Sequence, residues 1–187
     1  MSVAPLVLRD ATVADAEGIA RAQVAAWHAT YRGLMPDATL DAFTVEGRTE
    51  RWRANLSAPD GDVVTRVAQR DGRVLGFASA GANRIADLDV DGELWALYVD
   101  PAHRGEGAGW ALFADAARVL RAAGRTSMGL TVLRDNTVGR AFYDRQGGVI
   151  AAPGRCAVGA DDLPAVLYVW RDLAALTSPA PPSSSGT

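Results

Sequence analysis

Apolar residues change their spacing several times along this chain, and each change marks an element. Leu6-Val7-Leu8-Arg9 is a short extended run, and Thr12 to Asp15 has the layout of a helix N-cap with a shortened capping box. Ala16, Ile19, Gln23, Trp27 and Tyr31 then recur at helical spacing until Gly33 ends the segment. A second helical stretch is expected from Pro36, and Thr44 is placed to cap another that carries Trp52. Residues 63–69 read as a strand, Asp71-Gly72 as a hairpin turn, and 74–80 as the returning partner. A polar loop over 83–92 leads into a third strand of this group, 93–99. Trp110, Phe113, Ala117 and Leu120 share a stripe of the next helix, with Gly124 as its terminating glycine. A strand over 127–133, a helix over 136–146, and closing strands near Val149 and over 165–170 complete the series.

The order β-α-α-β-β-β-α-β-α-β-β predicts an α/β domain built on a mixed sheet. One domain is expected over 1–176, followed by a disordered Pro/Ser-rich tail at 177–187. With 49% hydrophobic residues there is ample material for a core, and a net charge of −3 argues against a nucleic-acid surface. All 19 basic side chains are arginine, so a lysine nucleophile or Schiff base is excluded. Cys156 is the lone cysteine and His28 and His103 are the only histidines. No internal disulfide is possible, and no metal site is expected. No run approaches the ~20 apolar residues of a membrane span, and the first residues lack the layout of a signal peptide. A cytoplasmic protein without a membrane partner is expected.

The chemistry concentrates in residues 93–113. The apolar run Glu93-Leu-Trp-Ala-Leu-Tyr-Val99 enters a Pro-marked turn, and Arg104-Gly105-Glu106-Gly107-Ala108-Gly109 follows, directly before the helix that opens with Trp110. A strand, a glycine loop and a helix in this order offer free backbone N–H groups and a helix dipole to a phosphate-bearing ligand. Arg104 can add a forked, permanently charged donor. A Walker A loop would need Gly-Lys-Ser/Thr, and there is no lysine. A Rossmann fingerprint would need a glycine where Trp110 stands, in an opening βαβ unit. For glycines alone, a plain helix-capping turn is the competing reading.

Arg104 to Gly109 resembles the Arg-x-x-Gly-x-Gly/Ala signature of the GNAT superfamily of acetyl-CoA-dependent N-acetyltransferases, and the preceding Leu97-Tyr98-Val99-Asp100-Pro101 resembles the strand that enters it. Asn136 and the run 141–148 resemble that family's second motif, N-x-x-A-x-x-x-Y-x-x-x-G-F, departing from it at Gly148 and Val149. The likeness spans roughly residues 6 to 172. It implies a mixed sheet of about seven strands, splayed between strands four and five and flanked by helices. It also implies acetyl transfer from acetyl-CoA to a primary amine of a small molecule or peptide, by direct attack in a ternary complex. A non-catalytic acyl-CoA sensor of the same fold is the alternative, and a homodimer is possible.

By the same resemblance, Leu97, Tyr98 and Val99 would hold the pantetheine arm. Arg104, Gly105, Glu106, Gly107, Ala108, Gly109 and Trp110 would hold the pyrophosphate. Tyr143 would be the general acid for the departing thiolate, or an aromatic that only fixes the sulfur. Asn136 would bind pantetheine, cap the helix, or do both. Glu93 is the first candidate for a base and His28 the second. Trp27, Tyr31 and Met35 would wall the acceptor site, although each also suits the core. The acidic series Asp87, Asp89, Asp91 and Glu93 could attract a cationic amine or could be an ordinary solvated loop.

Overall fold

The computed structural model describes residues 4–59, 61–86, 88–158 and 161–177. Strand β1 (Val7–Asp10) leads to α1 (Ala16–Tyr31), the short α2 (Asp37–Asp41) and α3 (Val45–Ser57). Strands β2 (Val64–Arg70), β3 (Arg73–Ala82) and β4 (Gly92–Val99) follow, then α4 (Ala108–Ala122), β5 (Met128–Leu133) and α5 (Thr137–Arg145). The hairpin β6 (Val149–Val158) and β7 (Asp161–Trp170) closes the sheet. The tail from residue 178 and Asp87 lie outside the described residues.

Local chemistry accounts for most boundaries. The Thr44 hydroxyl accepts from the Gly47 N–H (3.2 Å) and starts α3, while Thr12 and Asp15 form the capping box ahead of α1. The closing strands differ from expectation by being ten residues each, so residues 151–158 and 161–164 belong to strands. Two prolines disguise them. Pro153 is tolerated because β6 is an edge strand. Pro164 immediately precedes Ala165, the residue paired with the end of β5.

The seven strands lie in the order β1-β2-β3-β4-β5-β7-β6, antiparallel except where β4 meets β5. Among the described residues that parallel pair is held through Gly92–Met128 and Glu93–Gly129 alone. Beyond it the strands part, leaving a V that opens toward Val99. A bulge contributes. Opposite Ala80 and Ser79, β4 presents Leu94 and Ala96, so Trp95 is the extra residue, and a bulge bends its strand.

Each face of the sheet is covered. On one, Phe113, Ala117 and Leu120 of α4 pack with Leu94, Leu130 and Tyr168. On the other, Ile19 of α1 and Trp52 of α3 pack on Val67 and Phe77. Close contact between β3 and β4 depends on Gly76, where a Cβ would stand 2.5 Å from the Tyr98 carbonyl oxygen and 3.0 Å from the Val99 Cα. Neither backbone atom can swing aside. Gly76→Ala is therefore expected to cost about 2–3 kcal/mol and to lower the melting temperature by about 5–10 °C, which calorimetry checks.

Candidate active site at the opening of the sheet

The mouth of the V is built from β4, the loop after it and the start of α4. Asp100 N–H donates to the Leu75 carbonyl of β3 (2.8 Å). Backbone groups alternate sides along a strand, so Leu97 and Val99 direct theirs away from β3 and into the gap that β5 has left. Just past them a 3₁₀ turn over Pro101–His103 is capped by the Asp100 carboxylate, which accepts from Ala102 N–H at 3.0 Å.

The N–H groups of Gly105 through Trp110 have no acceptor among the described residues, the first intrahelical bond here being Ala111 N–H to Gly107 C=O (3.0 Å). Gly107 is the N-cap with φ 87°, and Gly105 has φ 82°. Both take a left-handed backbone that glycine adopts without strain. The result is a curved run of unspent donors at a helix N-terminus, a cradle fit for a phosphate or diphosphate.

Charges around the cradle are sorted. Arg104 reaches across to α1 and donates to the Thr30 hydroxyl (3.1 Å). The Glu106 carboxylate turns away from the donors, held by Arg70 of β2 and by His103 Nδ1 (3.1 Å). The His103 and Arg70 contacts pull its pKa below the usual carboxylate value. Arg70 was not legible as a site residue, since only the fold brings it 36 positions along the chain to Glu106.

Tyr143 lies on α5, which is fastened to β7 from below: Tyr168 O–H donates to Asp144 (2.7 Å) and Trp170 Nε1–H to the Gln146 carbonyl (2.8 Å). Neither anchor was foreseen. The same two rings explain the departure from the family motif, because a Cβ at Gly148 would meet Trp170 at 2.5 Å and Tyr168 at 2.8 Å. The Tyr143 hydroxyl has no hydrogen-bond partner among the described residues. Burial of its ring, with a smaller contribution from nearby Tyr98, raises its pKa, so it is a protonated donor at neutral pH.

The three residues expected to wall the acceptor site gather in one cluster. Tyr31 and Met35 are buried with Leu40 and Leu133, and Trp27, Tyr98 and Cys156 pack against them. Trp27 meets Tyr31 edge-on at 5.0 Å and Tyr98 at 6.3 Å. Burial first, and then Tyr98 and Tyr143, push the Tyr31 phenol up; the Cys156 thiol is raised by burial and by Asp162. Asn136 is buried and caps α5, accepting from Gly139 N–H at 2.9 Å.

The remaining candidates sit apart. Glu93 is buried at the vertex of the V, where its Oε2 accepts from Arg84 N–H (2.8 Å) and faces the Arg84 guanidinium (3.6 Å). His28 Nδ1 lies 3.2 Å from Arg32. Asp91 is structural. Partial burial would raise its pKa, yet the N–H and hydroxyl groups of Thr126 and Ser127 outweigh that and hold it at about 2. Among the described residues no group of three or more potential metal ligands is gathered, and no helix is long and apolar enough to cross a membrane.

A mixed sheet parted between two parallel strands, with a donor loop at the mouth, is the architecture of the GNAT acetyltransferases. The PaiA N-acetyltransferase of Thermoplasma acidophilum, solved with coenzyme A, superposes with a TM-score of 0.69 at 20% identity, covering 89% of this chain and 99% of its own. YncA of Salmonella typhimurium, solved with its cofactor acetyl-CoA, gives a TM-score of 0.64 at 20% identity over 96% of this chain and 99% of its own. The sequence pattern of the acetyltransferase (GNAT) family matches residues 26–148. YuaI of Bacillus subtilis (strain 168), an uncharacterized N-acetyltransferase, is 30% identical over 172 residues, 91% of this chain and 96% of its own. The chain belongs to the GNAT family.

Proposed function

We propose that this protein transfers the acetyl group of acetyl-CoA to a primary amine in a ternary complex. The observation that carries the proposal is the run of unspent N–H donors from Gly105 to Trp110 at the mouth of an open pair of strands. Coenzyme A and acetyl-CoA in the related structures support it. The donor run would hold the diphosphate, with Arg104 adding charge at its edge. Leu97 and Val99 would pair with the pantetheine amides as a missing strand would, which is β-augmentation. Tyr98 contributes backbone order and a phenol beside the acceptor, and Asn136 fixes the start of α5 below the arm.

In the transfer the amine nitrogen bonds to the carbonyl carbon as the carbon–sulfur bond breaks. Tyr143 gives its proton to the departing sulfur. Glu93 Oε1 at the vertex, which has no partner among the described residues, would take the proton that the amine must shed through an intervening water. Trp27, Tyr31 and Met35 exclude water from the reacting atoms and line the approach of the acceptor.

A thiol-release assay with acetyl-CoA and a panel of amines tests this. Release should depend on the amine and follow saturable kinetics in both substrates. Coenzyme A binding with no amine-dependent release would refute the transferase reading. The Glu106 contacts yield a narrower expectation. In Arg70→Gln the carboxylate is no longer drawn away from the donor run, so acetyl-CoA affinity should fall about 3- to 10-fold through repulsion of the diphosphate. The double variant Arg70→Gln, Glu106→Gln should recover it. Isothermal calorimetry at low salt decides, since screening would hide the effect.

A further inference from the structure

Trp27 stacks face to face on Phe43, with centroids 4.0 Å apart and planes 8° from parallel. Phe43 in turn lines a cavity of about 580 Å³ set between α2, the N-terminus of α3 and the end of β6. Thr39, Thr44, Arg48, Arg51 and Val158 complete most of its wall. Phe43 therefore borders both this cavity and Trp27, the residue that touches Tyr98 at the mouth of the V, and Arg48 lies near enough to Tyr98 for its charge to act on that phenol.

The two arginines are unusual in a chain whose other arginines mostly face carboxylates. Arg48 is held by its Nε, which donates to Gln23 (3.1 Å), and by Phe43, whose ring centre lies 4.6 Å from the guanidinium carbon. Gln23 is itself fixed, because the same oxygen accepts from Trp52 Nε1–H at 2.8 Å. The terminal nitrogens of Arg48 and the whole guanidinium of Arg51 have no carboxylate partner among the described residues. Partial burial, and secondarily the like charge of Arg51, lower the Arg48 pKa, a cost that an anion would relieve. The N-terminus of α3, capped by Thr44 and carrying Glu46 in its first turn, points its dipole in the same sense. Asp161 stands near the rim, and its carboxylate accepts from the Thr39 hydroxyl (2.5 Å).

We propose that this cavity receives the anionic end of the acceptor, so that the amine acetylated is a carboxylate-bearing one, an amino acid or a close relative, with Arg48 and Arg51 as its specificity-determining residues. The proposal rests on the transferase reading above and deepens it. Arg48 offers a pre-oriented terminal edge for two parallel N–H···O bonds to the carboxylate. Arg51 supplies a second positive charge from the exposed side. Phe43 and Trp27 carry the body of the substrate toward Tyr98 and Tyr143. The same pair of guanidinium groups repels a polyamine. Of the acidic residues that could have attracted one, Asp91 is held by Thr126 and Ser127.

Matched substrates test this: each amino acid beside its own carboxamide, which keeps the side chain and amine and loses the charge. The carboxylate member should show a kcat/KM about 10- to 100-fold higher, as expected for charged hydrogen bonds. That preference would run against the lower basicity of the carboxamide amine, which favours its free form. Arg51→Gln lies on the surface and should fold normally. It should raise KM for the amino acid about 10-fold, leave KM for acetyl-CoA within about twofold, and leave the carboxamide unaffected. Arg48→Gln should act in the same direction. Equal use of both members, or equal loss for both in Arg51→Gln, would overturn the subsite while leaving the transferase intact. Aminoalkyl phosphonates form a third arm, and turnover of these above the carboxylates would overturn the carboxylate assignment. Absence of amine-dependent release from every pair overturns the transferase reading itself, and the subsite with it.

Discussion

Tyr143→Phe should lower kcat by about 10²- to 10³-fold, the usual contribution of a positioned general acid, while leaving the affinity for acetyl-CoA within about twofold. The separation follows from the structure. The ring of Tyr143 is packed against Phe113 (6.3 Å), Tyr168 (5.8 Å) and Trp170 (5.9 Å), and all of that survives in phenylalanine. The hydroxyl makes no hydrogen bond among the described residues, so removing it strands no partner there and the melting temperature should not move measurably. Only the proton is lost. Because burial raises the pKa of this phenol, it stays protonated throughout the neutral range. Any alkaline limb in kcat that belongs to it therefore lies above about pH 10, and between pH 6 and 9 the rate should climb only with deprotonation of the amine. Turnover within a few-fold of the parent would reduce Tyr143 to a packing residue. A parent enzyme that binds acetyl-CoA without turnover would instead be the sensor that the fold also permits.

The stretch from Glu93 to Trp110 was legible because several local signals coincide there: a change of period, a proline, spaced glycines and a helix start. Long, periodic elements such as α1 and α4 were legible for the same reason, since their buried stripes are written in residues three and four apart. What escaped was non-local or irregular. The bulge at Trp95 breaks the alternation of β4, so Leu94, Leu97 and Val99 share one face while Ala96 and Tyr98 share the other. Strict alternation would have grouped Trp95 with Leu97 and misdirected every side chain near the V. The β6–β7 hairpin was read short because Pro153 and Pro164 imitate loop signals wherever an edge or a strand end makes them harmless. Arg70 on Glu106, Arg48 on Gln23 and Tyr168 under α5 are partnerships across 24 to 36 positions that no spacing rule encodes.

Gly107→Val should weaken acetyl-CoA binding by about 10- to 100-fold, with a loss of fold stability no larger than the backbone strain it introduces, about 1–3 kcal/mol. The residue sits at φ 87° and ψ −8° as the N-cap of α4. A β-branched side chain is strained there by about 1–3 kcal/mol, and tenfold in affinity is about 1.4 kcal/mol. Steric clash is not the cause, because nothing lies within 4 Å of a Cβ at 107. The backbone itself must rotate toward negative φ, and that turns the N–H groups on either side of it out of the common arc. Gly109→Ala is the control. Its φ is not left-handed, and its Cβ would meet only Phe142 and Val99, each at 3.7 Å and in ordinary contact. Alanine there should keep the arc and bind within about threefold of the parent. Equal binding by both variants would mean that the donors past Arg104 do not hold the diphosphate, and a loss in both would mean that steric access to the loop, and not its backbone geometry, governs binding.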